Sequence, residues 1–195
     1  MAEELSYAFN VVLDREVSQR IKLIQQKLRA RFSEQRNYDP SPHLSIHQKH
    51  LELSKSDEFV GALVDEFQNE SIWKLEFNYF SIADSISDSP SESLNSYIFL
   101  NLDTQSKQIL FDLNSRAIDV TRNITSELGT ASKYPYEPHI SILKVKREEV
   151  AEAFKIVLEN FLEVKMEVTK YEITRQQRDP NGFSIFPVIG EINLK

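Results

Sequence analysis

The pattern Pro-His-aliphatic-Ser-aliphatic occurs twice in this chain. It places His43 with Ser45 and, 96 positions further on, His139 with Ser141. From average residue usage, one such match is expected by chance in roughly a thousand chains of this length. Two matches are therefore typical of an internally duplicated protein, in which each half supplies one copy of the same site.

The predicted secondary structure of the first half has the order strand, helix, motif strand, helix, strand. Helices are indicated by apolar residues at spacings of three and four, and strands by alternation or short apolar runs. The predicted elements are a strand at 7–13, a helix capped by Asp14, the motif strand at 43–47, a helix capped by Ser54 or Ser56, and a strand at 73–82.

The second half repeats this order after a serine-rich loop at 84–96. Its predicted elements are a strand at 97–102, a helix capped by Asp103 or Thr104 and ended by Gly129, the motif strand at 139–143, a helix over 150–161, and two final strands at 163–175 and 183–188 around a turn at 179–182. The chain is thus predicted to be one bilobal α+β domain over 1–195. Two β-α-β-α-β units, at about 5–84 and 96–190, are related by a pseudo-twofold axis with a groove between them.

The residue types of the motif indicate acid–base chemistry at phosphorus. In a strand, residues i and i+2 point to one face, so each copy directs an imidazole and a hydroxyl the same way. Histidine exchanges protons near neutral pH, and two histidines facing each other suit an in-line displacement that needs one base and one acid. Hydroxyl groups donate hydrogen bonds to phosphate oxygens.

With these residues the chain resembles the 2H phosphoesterases. The resemblance is to the LigT-like group, which includes 2′,3′-cyclic nucleotide phosphodiesterases and RNA 2′,5′-ligases. It covers the chain from the strand at Tyr7 to the strand at Val188, with serine at both positions where threonine is common.

The resemblance implies a hydrolase that opens a 2′,3′-cyclic phosphate on a nucleotide or RNA end to a 2′-phosphate, in RNA processing. His43 and His139 would be catalytic, and Ser45 and Ser141 would bind the phosphate. Two alternatives stay open at this point. One is an enzyme that cleaves or joins 2′-5′ linkages, and the other is a nucleotide- or RNA-binding module without turnover.

Further residues near the motifs are candidates for substrate binding. Aromatic side chains stack on bases, and arginine and lysine add positive charge. His47 follows Ser45 by two residues and is expected on the same strand face. Lys144 is expected on the face opposite Ser141. The substrate-binding candidates are Tyr38, His47, Tyr134, Tyr136, Phe183, Arg175 and Arg178.

The sequence predicts no metal and no cofactor. The chain has no cysteine, which removes thiolate ligands. His43 and His47 lie four residues apart on a predicted strand, a span of about 13 Å that is too long for two bonds to one zinc. The four glycines do not form a phosphate-binding loop with lysine, so ATP-driven ligation is not indicated.

The charge and hydrophobicity of the sequence limit the kinds of binding partner to expect. The net charge is −7, so long duplex nucleic acid is not an expected partner, because its binding depends on phosphate neutralisation. No apolar run is long enough for a membrane helix, and the acidic start differs from a secretory signal. We expect a cytoplasmic monomer whose substrate is a nucleotide or a short RNA end.

Overall fold

The computed structural model describes residues 4–32, 42–84, 95–124, 135–160, 163–180 and 184–195. The helices within these residues are α1 (Arg15–Arg31), α2 (Ser56–Phe67), α3 (Thr104–Thr121) and α4 (Val150–Glu159). The strands are β1 (Glu4–Val11), β2 (Leu44–Glu52), β3 (Trp73–Asp84), β4 (Asn95–Leu102), β5 (His139–Lys146), β6 (Val164–Val168), β7 (Lys170–Arg175), β8 (Gln177–Arg178), β9 (Ser184–Ile185) and β10 (Val188–Asn193). None of the described helices has the length and apolar character needed to span a bilayer.

Two four-stranded antiparallel sheets carry the duplication. Their strand orders are β10-β7-β1-β2 and β5-β4-β3-β6, so β1 and β2 of the first half correspond to β4 and β5 of the second. The order β1-α1-β2-α2-β3 followed by β4-α3-β5-α4-β6 confirms the predicted α+β fold of two β-α-β-α-β units. In each sheet the motif strand lies at one edge.

The halves exchange strands and share helices. Strand β3 is the last strand of the first unit but pairs with β4 of the second, and β7 follows the second unit but pairs with β1 of the first. Helix α1 packs against β5, and α3 packs against β2. Each motif strand is therefore supported by a helix from the other half, which fixes the two motifs relative to each other.

The apolar core lies between the sheets and the helices. On one face of β1, the rings of Tyr7 and Phe9 are fully buried and pack against Phe59 and Phe67 of α2. Burying such side chains contributes about 1.5–3 kcal/mol each. Because this face is filled by helices, the opposite face of the sheet is the one available for a groove.

The N-terminal caps of α1 and α3 are equivalent in the two halves, as predicted. The Oδ1 atom of Asp14 accepts a hydrogen bond from the backbone amide of Val17 at 2.7 Å. Asp103 accepts from Ser106 in the same way at 2.8 Å, which confirms Asp103 as the cap. The predicted cap of α2 is wrong: a 3-10 turn at Leu53–Lys55 leads directly into the helix, and no side chain caps it.

The predicted strand at 163–175 is two strands in two sheets. Strand β6 pairs with β3, and after Thr169 the chain enters β7, which pairs with β1. The predicted strand at 183–188 is likewise replaced by β9 and β10. The alternation of apolar residues indicates which side chains are buried. It continues without a break where the chain passes from one sheet to the other, so it does not reveal that one strand ends and the next begins. Helix α3 ends at Thr121, well before Gly129, which lies outside the described residues.

Candidate active site

The two motif strands lie next to each other, and we call the side of each sheet that the helices do not cover the groove face. Strands β2 and β5 are in contact, and the hydroxyl of Tyr136 donates a hydrogen bond to the carbonyl oxygen of Ser45 at 2.8 Å. His43 and His139 are close enough for the charge of His43 to lower the pKa of His139. The structure therefore brings the two motifs together from opposite halves.

A β-bulge interrupts each motif strand at the residue after the serine. The extra residue is Ile46 in β2 and Ile142 in β5. A bulge shifts the alternation of side chains, so residues beyond it point to the faces opposite those that a regular strand would give. The same irregularity at equivalent places shows that the duplication extends to the local geometry of the site.

Each bulge region is hydrogen-bonded by a helix of the other half. Asn114 of α3 donates from Nδ2 to the carbonyl oxygen of Ile46 at 2.7 Å. Gln25 of α1 donates from Nε2 to the carbonyl oxygen of Ser141 at 3.5 Å. The two amides are 89 positions apart, like the helix caps, and both hydrogen-bond to backbone carbonyl groups at the bulges.

His139 is oriented by its own backbone neighbour and by an aromatic ring. Its Nδ1 atom lies 2.7 Å from the carbonyl oxygen of Glu137, and because a carbonyl only accepts, Nδ1 carries the proton. The ring of Phe99 lies 4.0 Å from the imidazole, centroid to centroid. Burial lowers the pKa of His139, the contacts with Glu137 raise it, and the charges of His43 and Lys107 lower it further. The neutral imidazole therefore presents the lone pair of Nε2.

Ser45 belongs to a hydrogen-bonded row across the first sheet. Its hydroxyl donates to Oδ1 of Asn10 at 2.9 Å and accepts from Nε2 of Gln48 at 3.2 Å. Asn10 is buried and donates from Nδ2 to the hydroxyl of Thr174 at 3.3 Å. This row holds the serine side chain in one orientation on the groove face.

A carboxylate faces the first histidine. Glu172 of β7 pairs with Asn10 on the side away from Ser45 and so lies on the same face. Burial raises the pKa of Glu172, Lys170 lowers it, Glu191 raises it, and the charge of His43 lowers it. The Glu172 carboxyl and the His43 imidazole are therefore close enough to interact electrostatically.

His47 lies on the opposite face from the motif. The prediction that it shares the face of His43 and Ser45 is wrong, because the bulge at Ile46 reverses the alternation. Its ring lies 6.3 Å from that of Phe59, and its Nε2 atom is 3.2 Å from the hydroxyl of Thr121. Burial lowers the pKa of His47 to about 4, with a smaller contribution from Lys49.

The same bulge geometry places Lys144 on the groove face. Strand pairing sets Lys144 opposite Tyr97, two residues from Phe99, which faces Ser141. The prediction that Lys144 points away from Ser141 is wrong for the reason that applies to His47. One irregularity per strand thus removes one candidate from the groove and adds another.

The other predicted substrate contacts are dispersed. Arg175 pairs with Tyr7, whose ring packs against α2, so Arg175 is on the helix-facing side. Arg178 lies in the β8–β9 hairpin, which follows the end of β7 distant from His43. Tyr136 bonds the backbone of Ser45, and burial raises its pKa. Three further candidates, Tyr38, Tyr134 and Phe183, lie outside the described residues.

Sequence reasoning missed three residues that surround the motifs. Asn10, Phe99 and Glu172 are the strand neighbours of the motif residues, and only the register reveals them. One signal was present: Asn10 is a polar residue inside an otherwise apolar predicted strand, where a buried amide needs hydrogen-bond partners.

Among the described residues, no group of three or more histidine, aspartate or glutamate side chains is placed to hold a metal ion.

Comparison with solved structures identifies the fold. No protein-family model matches the sequence, and no curated protein is similar to it by sequence. E. coli LigT in apo form is similar with a TM-score of 0.63 at 14% identity, over 99% of each chain. TT0787 of Thermus thermophilus has a TM-score of 0.64 at 13% identity, over 97% of each chain. A phosphoesterase has a TM-score of 0.63 at 15% identity, over 98% of this chain and 99% of its own. The fold that the resemblance implies is thus confirmed, and the chain has a LigT-like fold.

Proposed function

We propose that the protein is a metal-independent 2H phosphodiesterase. It hydrolyses the 2′,3′-cyclic phosphate of a nucleotide or RNA end to a 2′-phosphate. The observation that carries the proposal is the arrangement of His43 and His139, which come from opposite halves and are close enough to interact. A phosphate between them would have one imidazole on the attacking side and one on the leaving side, as in-line displacement requires.

His139 is the general base in this proposal. Its Nδ1 proton is held by the carbonyl of Glu137, so that Nε2 accepts the proton of the attacking water. The lowered pKa of His139 keeps this nitrogen unprotonated at neutral pH. As the water oxygen bonds to phosphorus, its proton moves to Nε2.

His43 is the general acid. The bond between phosphorus and the ribose 3′ oxygen breaks, and His43 gives its proton to that oxygen. The carboxyl of Glu172 is near enough to interact with the charge of His43. The two histidines therefore have different surroundings, suited to opposite roles.

Ser45 and Ser141 donate hydrogen bonds to the non-bridging phosphate oxygens. Both hydroxyls lie on the groove face, one residue before a bulge. Such bonds strengthen as charge develops on the oxygens in the transition state. E. coli LigT, which shares the fold, has been solved with 3′-AMP and with phosphate, and this supports a nucleotide phosphate as ligand here.

A substrate panel tests the proposal. The purified chain is incubated in EDTA with 2′,3′-cyclic nucleotides, 2′-5′ dinucleotides and cyclic-phosphate-ended RNA, and products are resolved by the position of the phosphate. We expect 2′-phosphates from the cyclic substrates. Cleavage of the 2′-5′ dinucleotides alone would favour the 2′-5′ phosphodiesterase or ligase alternative, and binding without turnover would favour a nucleotide- or RNA-binding module. Cytoplasmic location and the monomeric state stay predictions.

A further inference from the structure

The groove face of the second half carries a continuous row of ring systems that ends at a cation. The ring of Phe99 lies 4.0 Å from His139, and the ring of Tyr97 lies 5.9 Å from that of Phe99 at an interplanar angle of 18°. The Nζ atom of Lys144 lies 5.6 Å from the centroid of the Tyr97 ring. We call Phe99, Tyr97 and Lys144 the aromatic track.

The first half has no counterpart of this track at the equivalent positions. Asn10 faces Ser45 where Phe99 faces Ser141, and Ala8 faces Gln48 where Tyr97 faces Lys144. The correspondence between the two halves therefore includes the histidines and serines but not the strand residues beside them. A phosphate bound between the motifs would contact the same residue types on both sides. The part of the ligand beyond that phosphate would contact aromatic and cationic side chains on the side of the second half only.

We infer that the aromatic track binds a second nucleotide, so that the substrate is an oligonucleotide end rather than a mononucleotide. The base of the nucleotide preceding the cyclic phosphate stacks at Tyr97, and Lys144 pairs with an adjoining phosphate of the backbone. This inference rests on the proposed function, because it assigns the reacting phosphate to the space between the histidines.

The placement of the track suits an extended ligand. Tyr97 is four residues along β4 from Asn101, the strand partner of His139, which corresponds to about 13 Å. That distance puts Tyr97 and Lys144 beyond the reacting phosphate, where a neighbouring nucleotide would lie. Rings half-exposed on a groove face offer a stacking surface that accepts any base, and lysine adds a charge contact to the backbone.

The residues of the first half supply matched substitutions. Tyr97→Ala introduces the residue found at position 8, and Lys144→Gln introduces the residue found at position 48. Tyr97→Phe keeps the ring and is expected to keep the function of the track. Lys155→Gln removes an exposed lysine of α4 and controls for the loss of one positive charge.

The kinetic test compares adenosine 2′,3′-cyclic phosphate with an adenosine trinucleotide that ends in the same group. We expect the wild type to have a higher kcat/KM for the trinucleotide. Since stacking contributes about 1–3 kcal/mol per base, Tyr97→Ala is expected to lower the trinucleotide-to-mononucleotide ratio by about 5- to 150-fold. Lys144→Gln should lower the ratio less and weaken its dependence on salt. Equal ratios in the wild type and both variants would overturn the inference.

A binding test separates this inference from the proposed function. The Kd of the trinucleotide with a 2′-phosphate end is measured against that of 2′-AMP for the same proteins. A preference for the trinucleotide that Tyr97→Ala or Lys144→Gln reduces, and that Tyr97→Phe and Lys155→Gln retain, supports the track even if no turnover is seen. Turnover of cyclic phosphates without such a preference refutes the track and leaves the proposed function standing.

Discussion

The two His-x-Ser motifs have the same sequence pattern, the same bulge and the same helix support, yet their neighbours differ. Ser45 donates to Asn10 and His43 faces Glu172, whereas Phe99 stands beside both Ser141 and His139. The first motif therefore has polar and acidic neighbours, and the second has an aromatic one. Duplication thus supplies two equal side chains, and the residues on the adjoining strands give them unequal surroundings.

The largest expected effect comes from removing either histidine. Under the proposed function, His43→Ala and His139→Ala should each lower turnover of a 2′,3′-cyclic nucleotide by about 10²–10⁴-fold, because general acid and general base each contribute about this much. The double variant should lower turnover by less than the product of the two single effects, since both groups act in one step. His50→Ala, an exposed histidine further along β2, is the control. Normal turnover in His139→Ala would contradict the two-histidine mechanism.

The second effect concerns His47, which occupies the position of Leu143 in the other half. Its pKa of about 4 in the folded protein lies below that of an unfolded histidine, about 6.5, so the unfolded chain takes up a proton first as pH falls. Stability is therefore lost from pH 6.5 down to 4, by about 2–3 kcal/mol.

His47→Leu should remove this part of the acid dependence while keeping the shape of an apolar site. Urea unfolding at pH 7.5 and pH 4.5 measures the difference in the free energy of unfolding between the two pH values. An unchanged difference in the variant would show that His47 is not buried as a neutral imidazole.

A smaller effect distinguishes the two serines. Hydrogen bonds to charged groups contribute about 1.5–3 kcal/mol, so Ser141→Ala should lower turnover by at least tenfold. Ser45→Ala should cost less, because its hydroxyl proton is already held by Asn10 and must be redirected to a phosphate. Turnover rates of the two alanine variants test which serine matters more. A larger loss of turnover in Ser45→Ala than in Ser141→Ala would contradict our interpretation that Asn10 holds the Ser45 hydroxyl.

The smallest effect tests the aromatic neighbour of His139. Phe99→Asn places in the second motif the residue that the first motif has at this position. Loss of the ring admits water to the imidazole and raises the pKa of His139 toward its ordinary value, since burial is the largest cause of the lowering. The acidic limb of the kcat/KM profile, where the base becomes protonated, should move to higher pH by a fraction of a unit. A shift to lower pH would contradict this cause.

The fold and the four motif residues were within reach of the sequence because periodicity and repetition report them directly. The caps Asp14 and Asp103 and the two motif strands come from local chemistry that any equivalent half must repeat. The residues beside the motifs cannot be predicted in this way. Glu172, for example, reaches the site only because β7 pairs with β1, a strand far away in the sequence.

The bulges explain the errors of side-chain direction. A regular strand from His43 to His47, and from Ser141 to Lys144, predicts the side-chain directions given above, and one extra residue in each strand reverses them. Bulges leave little trace in a sequence that keeps aliphatic residues on both sides. The 96-residue offset still helps, since it shows that His47 corresponds to a leucine and Lys144 to a glutamine.

The central claim is that one histidine from each half acts on the same phosphate. The most direct measurement is a titration of the ¹⁵N-labelled protein with 2′-AMP, the product of the proposed reaction on adenosine 2′,3′-cyclic phosphate, followed through the ring nitrogens of His43 and His139 by NMR. We expect the signals of both histidines to shift and to saturate at the same nucleotide concentration, with Nδ1 of His139 protonated throughout. A response of only one histidine, or two different saturation points, would contradict it.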